Sequence, residues 1–394
     1  MYKGQMKENS QIRVLHAITR LDRGGSSENT LLSAIGLAKR GYKVDVLFGR
    51  TEDAHVELLK EARELGVEFI EEEDLVRDIH PVKDITAYNQ IVRFLGDNRY
   101  DIVHAHSSKA GLICRFAASR AGIRAVVYTP HGHVFYGYFG QPLTSFIILA
   151  EKAAARVTDR IIGLTPAECE EWIERGVGRR EQYVAIPSGL DFRMMEDRAF
   201  TDRDLKEELG IPREHKLIGS IGRFVGVKGY EFFIEAASML IRERPDAHFV
   251  LAGDGPLHIK FKELIDKRGL EGRFHLIGWQ EHTASVLKAL DVFILPSLNE
   301  GMGRVLVMAM YYGKPVIATR VGGVPSIVSD ETGLLINPRS PEAIRTAVSD
   351  LLDDPERASE MAERGRERVL SGYSAEKMVN DLDALYKELL EKSD

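Results

Sequence analysis

Residues 295–306 place a carboxylate and two glycines between a strand-like apolar run and a helix-like pattern, in the order Leu-Pro-Ser-Leu-Asn-Glu-Gly-Met-Gly-Arg-Val-Leu. Main-chain amides at a helix start bind anions, and glycines let a ligand approach the main chain. The carboxylate, Glu300, can accept hydrogen bonds from hydroxyl groups. The segment therefore suits a sugar phosphate. Glu300 could equally act only on the helix start, where an acid contributes ~0.3–1 kcal/mol.

A glycine-containing loop follows the first strand pattern of each half of the chain. In the first half the loop ends at Gly24-Gly25-Ser26, and in the second it runs from Gly222-Arg223 to Lys228-Gly229. In doubly wound sheets, ligands bind at the carboxyl ends of such strands. Any one glycine could simply relieve a tight turn, but the paired loops favour a shared cleft.

The elements that must position these loops alternate between short apolar runs and longer amphipathic segments. The alternation is typical of parallel sheets covered by helices. It begins again after a Pro/Gly turn near residue 187, and a short strand is expected just before that turn. We therefore predict an α/β protein with two doubly wound Rossmann-like domains facing each other across a cleft. The predicted domains are residues 1–190 and 191–373, and the helix of residues 374–394 is expected to pack back toward the first. Strands are expected at 12–18, 44–48, 102–104, 125–128, 161–164, 217–221, 249–252, 274–277, 292–295 and 316–319.

Composition narrows the class of protein. The 394 residues are 44% hydrophobic and carry a formal net charge of −7. That balance is globular and argues against a dedicated nucleic-acid binder. Cys114 and Cys169 lack metal-ligand spacing, and the first ten residues show no signal-peptide pattern. A cytoplasmic protein of unknown oligomeric state is expected, with no metal and no resident cofactor.

Several segments in order resemble the signature of the retaining family 4 (group 1) glycosyltransferases, which have the two-domain GT-B fold. The donor segment around Glu300 is one of them. The others are Gly222-Arg223-Phe224 with Lys228-Gly229, Ala252-Gly253-Asp254-Gly255-Pro256-Leu257, residues 313–319 with Gly322-Gly323-Val324-Pro325, Gly24-Gly25-Ser26, and Thr129-Pro130-His131-Gly132. The resemblance covers nearly the whole chain.

The resemblance implies a role for each matching residue. Arg223 and Lys228 would bind the donor diphosphate and stabilise charge on the leaving group, Glu300 would hold hydroxyls of the transferred sugar, and His131 would lie beside that sugar. The donor would be a nucleotide-diphosphate sugar, most commonly a UDP-sugar, used without a metal and with retention of anomeric configuration. The remaining implied donor residues are Gly24, Gly25, Gly222, Gly301, Met302, Gly303, Arg304, Val305 and Met308.

Two positions depart from the family pattern. Met308 stands where the family has a second glutamate, which usually binds the ribose, and Ser326 stands where an acid is common. Methionine offers no strong acceptor, and a hydrogen bond to a charged group is worth ~1.5–3 kcal/mol. Either another residue binds the ribose, or the donor binds weakly, or the carrier is unusual or activity is lost. The first two explanations keep the transferase function.

The acceptor is expected at the first domain, where residues 133–139 are rich in aromatic side chains and 145–150 are apolar. His133 and Tyr136 are the candidate acceptor contacts, and the acceptor could be a glycan, a lipid-linked sugar or a small molecule. The apolar stretch could contact the inner face of a membrane, although core packing is the more common fate of such residues. His104 and His106 are expected to pack or to contact the acceptor rather than to bind metal. Trp279 could flank a base or lie in the core.

Two other functions fit the same architecture. A nucleotide-sugar epimerase would convert the donor without an acceptor. A degenerate binding protein, suggested by Met308, would bind the donor without turnover. The base, the sugar and the acceptor are not identified by the sequence.

Overall fold

The computed structural model describes residues 11–132, 140–197, 204–280 and 283–392. Within these ranges the chain forms two compact units. The first contains the described residues up to Leu190 together with those from Ala375 onward, and the second contains those of Asp191–Ser374. Among the described residues, no helix is both long enough and apolar enough to span a membrane.

The first unit is built on a parallel sheet with the strand order β3-β2-β1-β4-β5-β6-β7. The central strands are buried along their whole length and rich in valine, isoleucine and alanine, as expected for strands covered on both faces. The strands are β1 Arg13–Ile18, β2 Lys43–Phe48, β3 Glu68–Glu71, β4 Ile102–His106, β5 Ala125–Thr129, β6 Arg160–Gly163 and β7 Tyr183–Ala185.

The helices of the first unit include the last helix of the chain, α16, which packs against α1. Gly36 makes the close approach possible, because a Cβ there would lie 2.4 Å from a methyl carbon of Val379. The helices are α1 Gly25–Lys39, α2 Val56–Glu64, α3 Pro81–Asp97, α4 Ser108–Ala121, α5 Gln141–Ala155, α6 Pro166–Glu174 and α16 Ala375–Glu391.

The second unit has a parallel sheet with the order β10-β9-β8-β11-β12-β13. Its core is strongly aromatic on one face, where Phe224, Phe233, Phe249 and Phe261 are fully buried. The strands are β8 Lys216–Ile221, β9 Ala247–Ala252, β10 Phe274–Leu276, β11 Val292–Leu295, β12 Val316–Thr319 and β13 Leu334–Ile336. The helices are α7 Phe192–Asp197, α8 Leu205–Glu208, α9 Tyr230–Glu243, α10 His258–Lys267, α11 Thr283–Ala289, α12 Arg304–Tyr311, α13 Val324–Ile327, α14 Pro341–Asp353 and α15 Pro355–Gly372.

The predicted class, with two doubly wound α/β sheets, is confirmed by these strand orders. Strands β3 and β13 were not predicted. Each is short and only partly buried, so neither carries the continuous apolar run that marks a central strand. The core position considered for Trp279 is wrong, since its side chain is 65% exposed.

Candidate functional site

Lys228 and Glu300 meet at the carboxyl ends of β8 and β11, where Lys228 Nζ lies 2.5 Å from Glu300 Oε2. Their loops are joined directly, since the amide of Leu298 donates to the carbonyl of Val227 over 2.7 Å. Ser297 Oγ donates to the same carboxylate oxygen over 3.1 Å. The two side chains remain partly exposed, so both can still contact a ligand.

Two glycines allow the main chain to close around this pair. Gly229 has φ of 63°, and a Cβ there would lie 2.2 Å from the carbonyl oxygen of Pro296. Gly322 has φ of 46°, and its Cβ would lie 2.2 Å from the carbonyl oxygen of Glu300. Neither contact tolerates a side chain, and both φ values favour glycine. Glu300 is therefore held at its carboxylate by Lys228 and Ser297 and at its main chain by the Gly322-Gly323 turn, whose Gly323 amide donates to the Glu300 carbonyl over 3.0 Å.

Helix α12 begins directly after the acid, and Gly303 caps it in the left-handed region with φ of 71°. The first turn of α12 contains no acidic residue, so its main-chain amides and the helix dipole offer an anion-binding end. Gly301, Arg304 and Val305 are partly exposed at this end. The side chain of Met302 is buried, so only its main chain can face a ligand. Met308 lies further along α12 and is half-buried.

Arg223 follows β8 and is exposed, and no ion pair holds its side chain in the described part of the protein. Its loop is fixed by the turn after β9, because the amide of Phe224 donates to the carbonyl of Asp254 over 2.9 Å. Gly222 is required here for packing, since a Cβ would lie 2.4 Å from the hydroxyl of Tyr230. Burial raises the pKa of Tyr230 to about 12, so the hydroxyl keeps its proton.

In the first unit, the loop with Gly24 and Gly25 leads from β1 into α1, which begins at Gly25. The Gly24 amide donates to Nε2 of His55 over 3.2 Å. Directly after the neighbouring strand β4, Ser107 has φ of 63°, and its hydroxyl lies 2.8 Å from that of Thr19. Non-glycine residues seldom adopt such a φ, and those that do cluster at functional sites.

His131 follows β5 and also has a left-handed backbone, with φ of 57°. Its Nε2 lies 2.9 Å from Nδ1 of His106, which in turn places its Nε2 2.8 Å from Nδ1 of His16. His104 lies beside them and bridges the hydroxyls of Thr129 and Tyr386 at 2.8 and 2.6 Å. The histidines of β1 and β4 therefore form a continuous buried cluster, and His106 of this cluster contacts His131.

Burial keeps this cluster neutral. It lowers the pKa of His16 to about 3 and lowers the pKa values of His104 and His106 well below their usual range. Repulsion between the neighbouring rings adds to the effect for His104 and His106. His16, His104 and His106 together form a group with the composition of a metal-ligand set.

The two expected acceptor residues, His133 and Tyr136, lie outside the described residues. The apolar stretch that follows them is within α5, where Phe146 and Leu149 are each 65% exposed. The core-packing alternative therefore does not hold for these two side chains.

Three polar residues at these edges were missed from the sequence. Ser297 lies three residues before Glu300, and its place beside the acid was an available signal. His16 pairs in register with His104 across two predicted strands, so the histidines could have been connected once the strands were aligned. Nothing in the sequence around Ser107 indicates its backbone conformation.

Two family models and several known proteins match this chain. The model for "Glycosyl transferases group 1" matches residues 201–368, and that for "Glycosyl transferase 4-like domain" matches residues 24–189. An Escherichia coli UDP-Gal:alpha-D-GlcNAc-diphosphoundecaprenol alpha-1,3-galactosyltransferase is 32% identical over 80% of this chain and 82% of its own.

The chain belongs to the group 1 glycosyltransferases.

Other relatives of this glycosyltransferase have different acceptors. A D-inositol 3-phosphate glycosyltransferase of Corynebacterium glutamicum is 27% identical over 94% of this chain and 93% of its own. The Anabaena protein Alr3699/HepE, solved in complex with UDP-glucose, matches with a TM-score of 0.78 at 20% identity, covering 96% of this chain and 100% of that one. The last similarity supports the GT-B fold alone. The protein is a retaining, nucleotide-sugar-dependent glycosyltransferase of a family whose acceptors are diverse.

Proposed function

We propose that this glycosyltransferase transfers a sugar from a UDP-sugar to a lipid-linked diphosphate sugar at the inner face of a membrane. The contact between Lys228 and Glu300 carries the donor half of the proposal, because it joins a phosphate-binding cation to a hydroxyl-binding acid. The names of the Escherichia coli relative and of the Anabaena complex support UDP as the carrier. The former supports a lipid diphosphate as the acceptor.

Lys228 and Arg223 bind the donor diphosphate in this proposal. The lysine ammonium has three N–H donors, so it can hold Glu300 and a phosphate oxygen at the same time. The exposed guanidinium of Arg223 can grip phosphate oxygens in a bidentate manner. Together with the amides of Gly301 to Arg304, these cations stabilise the charge that develops on the leaving diphosphate.

Glu300 and His131 hold the transferred sugar. Glu300 keeps one carboxylate oxygen on Lys228 and Ser297, which leaves the other oxygen for a sugar hydroxyl. The family resemblance implies that His131 contacts that sugar and that Gly24 and Gly25 contact the donor. The acceptor oxygen forms its bond to the anomeric carbon on the face from which the diphosphate departs. The departing oxygen takes the electron pair of the broken bond and then the acceptor proton.

The ribose is bound without the glutamate that the family usually provides. Met308 is half-buried on α12, so it offers packing in place of a charge-assisted hydrogen bond. The ribose therefore contributes less to donor affinity than it does with a glutamate at this position. Contacts to the diphosphate and the sugar supply most of the donor affinity.

The lipid-linked acceptor requires a membrane-facing surface, and exposed apolar side chains of the first unit support this part of the proposal. Phe146 and Leu149 of α5 are exposed, and α4 packs beside α5 and adds the partly exposed Phe116. Helix α3 also packs against α4, and its first turns expose Val82 and Ile85. Exposed apolar side chains on neighbouring helices are typical of interfacial contact. Exposed Lys152 near the end of α5 would favour anionic lipids.

Flotation with anionic vesicles tests the membrane contact. The variant with Phe146→Ser and Leu149→Ser should lose most of its vesicle binding, and the control Ile259→Ser should not. Ile259 is 73% exposed on α10, in the second unit. Equal flotation of all three proteins would contradict a lipid surface at α5.

Product analysis tests the transfer itself. The full chain is incubated with labelled UDP-sugars, with and without a polyprenyl-diphosphate sugar. Sugar transfer to the lipid, dependent on the acceptor and abolished in Glu300→Gln, is expected. Conversion of the donor without an acceptor would identify an epimerase. Binding without turnover would identify the degenerate protein.

A further inference from the structure

Three histidines lie side by side inside the first unit, under the edge where His131 is found. His16 on β1 is in register with His104 on β4, and His106 is two residues further along β4. All three are buried, and their ring centroids lie 4.1 to 5.1 Å apart. Burying three imidazoles beneath a sheet edge costs free energy unless their ring nitrogens form hydrogen bonds.

A chain of two hydrogen bonds connects His16 to His131 through His106. His106 Nε2 faces His16 Nδ1 at 2.8 Å, and His106 Nδ1 faces His131 Nε2 at 2.9 Å. Both ring nitrogens of His106 are therefore engaged. Because the ring is neutral, one nitrogen carries a proton and the other accepts. The two hydrogen bonds must consequently point in the same direction along the chain.

The environment of His16, at one end of these two hydrogen bonds, determines their direction. Among the described residues, Nε2 of His16 is buried and has no hydrogen-bond partner. If the bonds pointed toward His16, this nitrogen would be an unpaired buried N–H group. If they point toward His131, it is an unpaired acceptor. Among main-chain groups, orphaned buried donors are rarer than orphaned acceptors, and we apply the same preference to the imidazole. The direction toward His131 follows: His16 Nδ1–H donates to His106, and His106 Nδ1–H donates to His131.

We propose that His106, oriented by His16, is a positioning residue that fixes His131 as its Nδ1–H tautomer, so that His131 donates a hydrogen bond to the transferred sugar. The inference rests on the proposed place of His131 beside that sugar. A hydrogen bond at one ring nitrogen is what sets the tautomer of a histidine. The hydrogen bond donated by His131 would become stronger as negative charge develops on a sugar or phosphate oxygen.

The surroundings of His106 hold its ring in place. His104 packs against it with ring centroids 4.1 Å apart and the ring planes tilted by 31°, and His104 is itself fixed by Thr129 and by Tyr386 of α16. The left-handed backbone of His131 is of the strained kind that packed surroundings must maintain. The packing thus supplies a rigid support for one ring orientation.

A metal site is the competing explanation, and the distances disfavour it. Nitrogen ligands of tetrahedral zinc, each 2.0–2.1 Å from the metal, lie about 3.3 Å apart. His16 Nδ1 and His106 Nε2 are 2.8 Å apart, a hydrogen-bond distance. Both nitrogens of His104 already face hydroxyl groups.

Nitrogen-15 NMR of the full chain labelled at histidine tests the proposal. Neutral imidazole in water prefers the Nε2–H form, so a fixed Nδ1–H form of His131 at pH 7.5 is diagnostic. The His131 signals are assigned from their absence in His131→Gln. We expect Nδ1–H for His131 in the native protein and loss of that preference in His106→Leu. An Nε2–H form in the native protein, or the same tautomer in folded His106→Leu, would overturn the proposal. So would one bound zinc per chain that shifts the His16 and His106 signals on chelation.

His106→Asn is the rescue variant, because its amide nitrogen can take the place of Nδ1 and donate to His131. Transfer should fall about tenfold in His106→Leu, the loss of one hydrogen bond to the substrate, and should recover largely in His106→Asn. Equal rates for the two variants would contradict positioning through this bond. The NMR experiment measures the tautomer without substrate. Its result is therefore independent of the role of His131 in transfer. If the NMR result holds and both variants keep full activity, the place of His131 beside the sugar is wrong.

Discussion

The loop ends of the two sheets use opposite electrostatic strategies. In the second unit, Lys228 and Glu300 form a charged, partly exposed pair that joins two loops. In the first unit, His16, His104 and His106 form a neutral, buried cluster, and His106 contacts His131. A charged pair can exchange partners with a diphosphate, whereas a neutral buried chain can only orient the group at its tip. We infer that the second unit stabilises charge on the donor, whereas the histidines of the first unit fix the orientation of a hydrogen-bond donor.

The largest effect is expected from breaking the charged pair. Lys228→Ala removes a cation aimed at the leaving diphosphate and should lower kcat by about 10²–10³-fold, as losing one such preorganised donor does. Lys267→Ala, at an exposed lysine at the end of α10, is the matched control and should keep full activity. Steady-state transfer assays measure both. A lysine variant as active as its control would remove Lys228 from the site.

The glycines that let the charged loops approach each other should come next. Gly229→Ala places a Cβ against the carbonyl of Pro296, whereas Gly313 has the same φ of 63° with nothing within 4 Å of a Cβ. Gly313→Ala therefore reports backbone strain alone. We expect Gly229→Ala to lower the free energy of unfolding by about 2 kcal/mol more than Gly313→Ala, from overpacking. Urea unfolding measures the difference, and equal losses would mean that the two loops are not held as described.

Acid should lower the free energy of unfolding, because the buried, neutral histidines of the first unit do not bind protons in the folded state. Folded His16 has a pKa of about 3 because of burial, while the unfolded chain binds a proton near pH 6.5. Stability is therefore full above pH 6.5 and falls below it, by about 1.4 kcal/mol per pH unit for each such histidine. His16→Leu should flatten the slope between pH 6.5 and 5 by about that amount. Exposed His80→Leu is the control. Parallel curves for native protein and His16→Leu would show that His16 is not buried as a neutral ring.

The smallest effect tests the weak end of the donor site. Met308→Glu restores the acid that the family usually has and should tighten UDP binding by about tenfold if the ribose reaches α12, the gain of one charge-assisted hydrogen bond. Calorimetry measures the affinity, with Met308→Gln as the uncharged control. No gain, or weaker binding, would place the ribose elsewhere.

These contrasts also explain what could be predicted from the sequence. The donor segment was predictable because a buried strand, an acid and two glycines lie consecutively, and β11 starts and ends where it was expected. The family resemblance assigned Lys228 and Glu300 to one donor site with different roles, and it did not predict the contact between them. Its geometry depends on the Leu298–Val227 hydrogen bond between loops far apart in sequence, which no local pattern contains.

The histidine chain was harder to predict for a different reason. The alternation of His104 and His106 along a strand was visible in the sequence, and packing or acceptor contact was expected for both. The connection to His16 needed the register of β1 against β4, and the connection to His131 needed its positive φ. Pairing register and unusual backbone conformations are set by the whole fold, so a single sequence does not specify them.

Titration of UDP and UMP into the native protein and Lys228→Ala tests the central claim most directly, because the two nucleotides differ by one phosphate. If Lys228 holds the donor diphosphate, the variant should lose about tenfold or more of its affinity for UDP and little of its affinity for UMP. Equal losses for both nucleotides, or no loss for UDP, would contradict the assignment of the charged pair to the donor diphosphate.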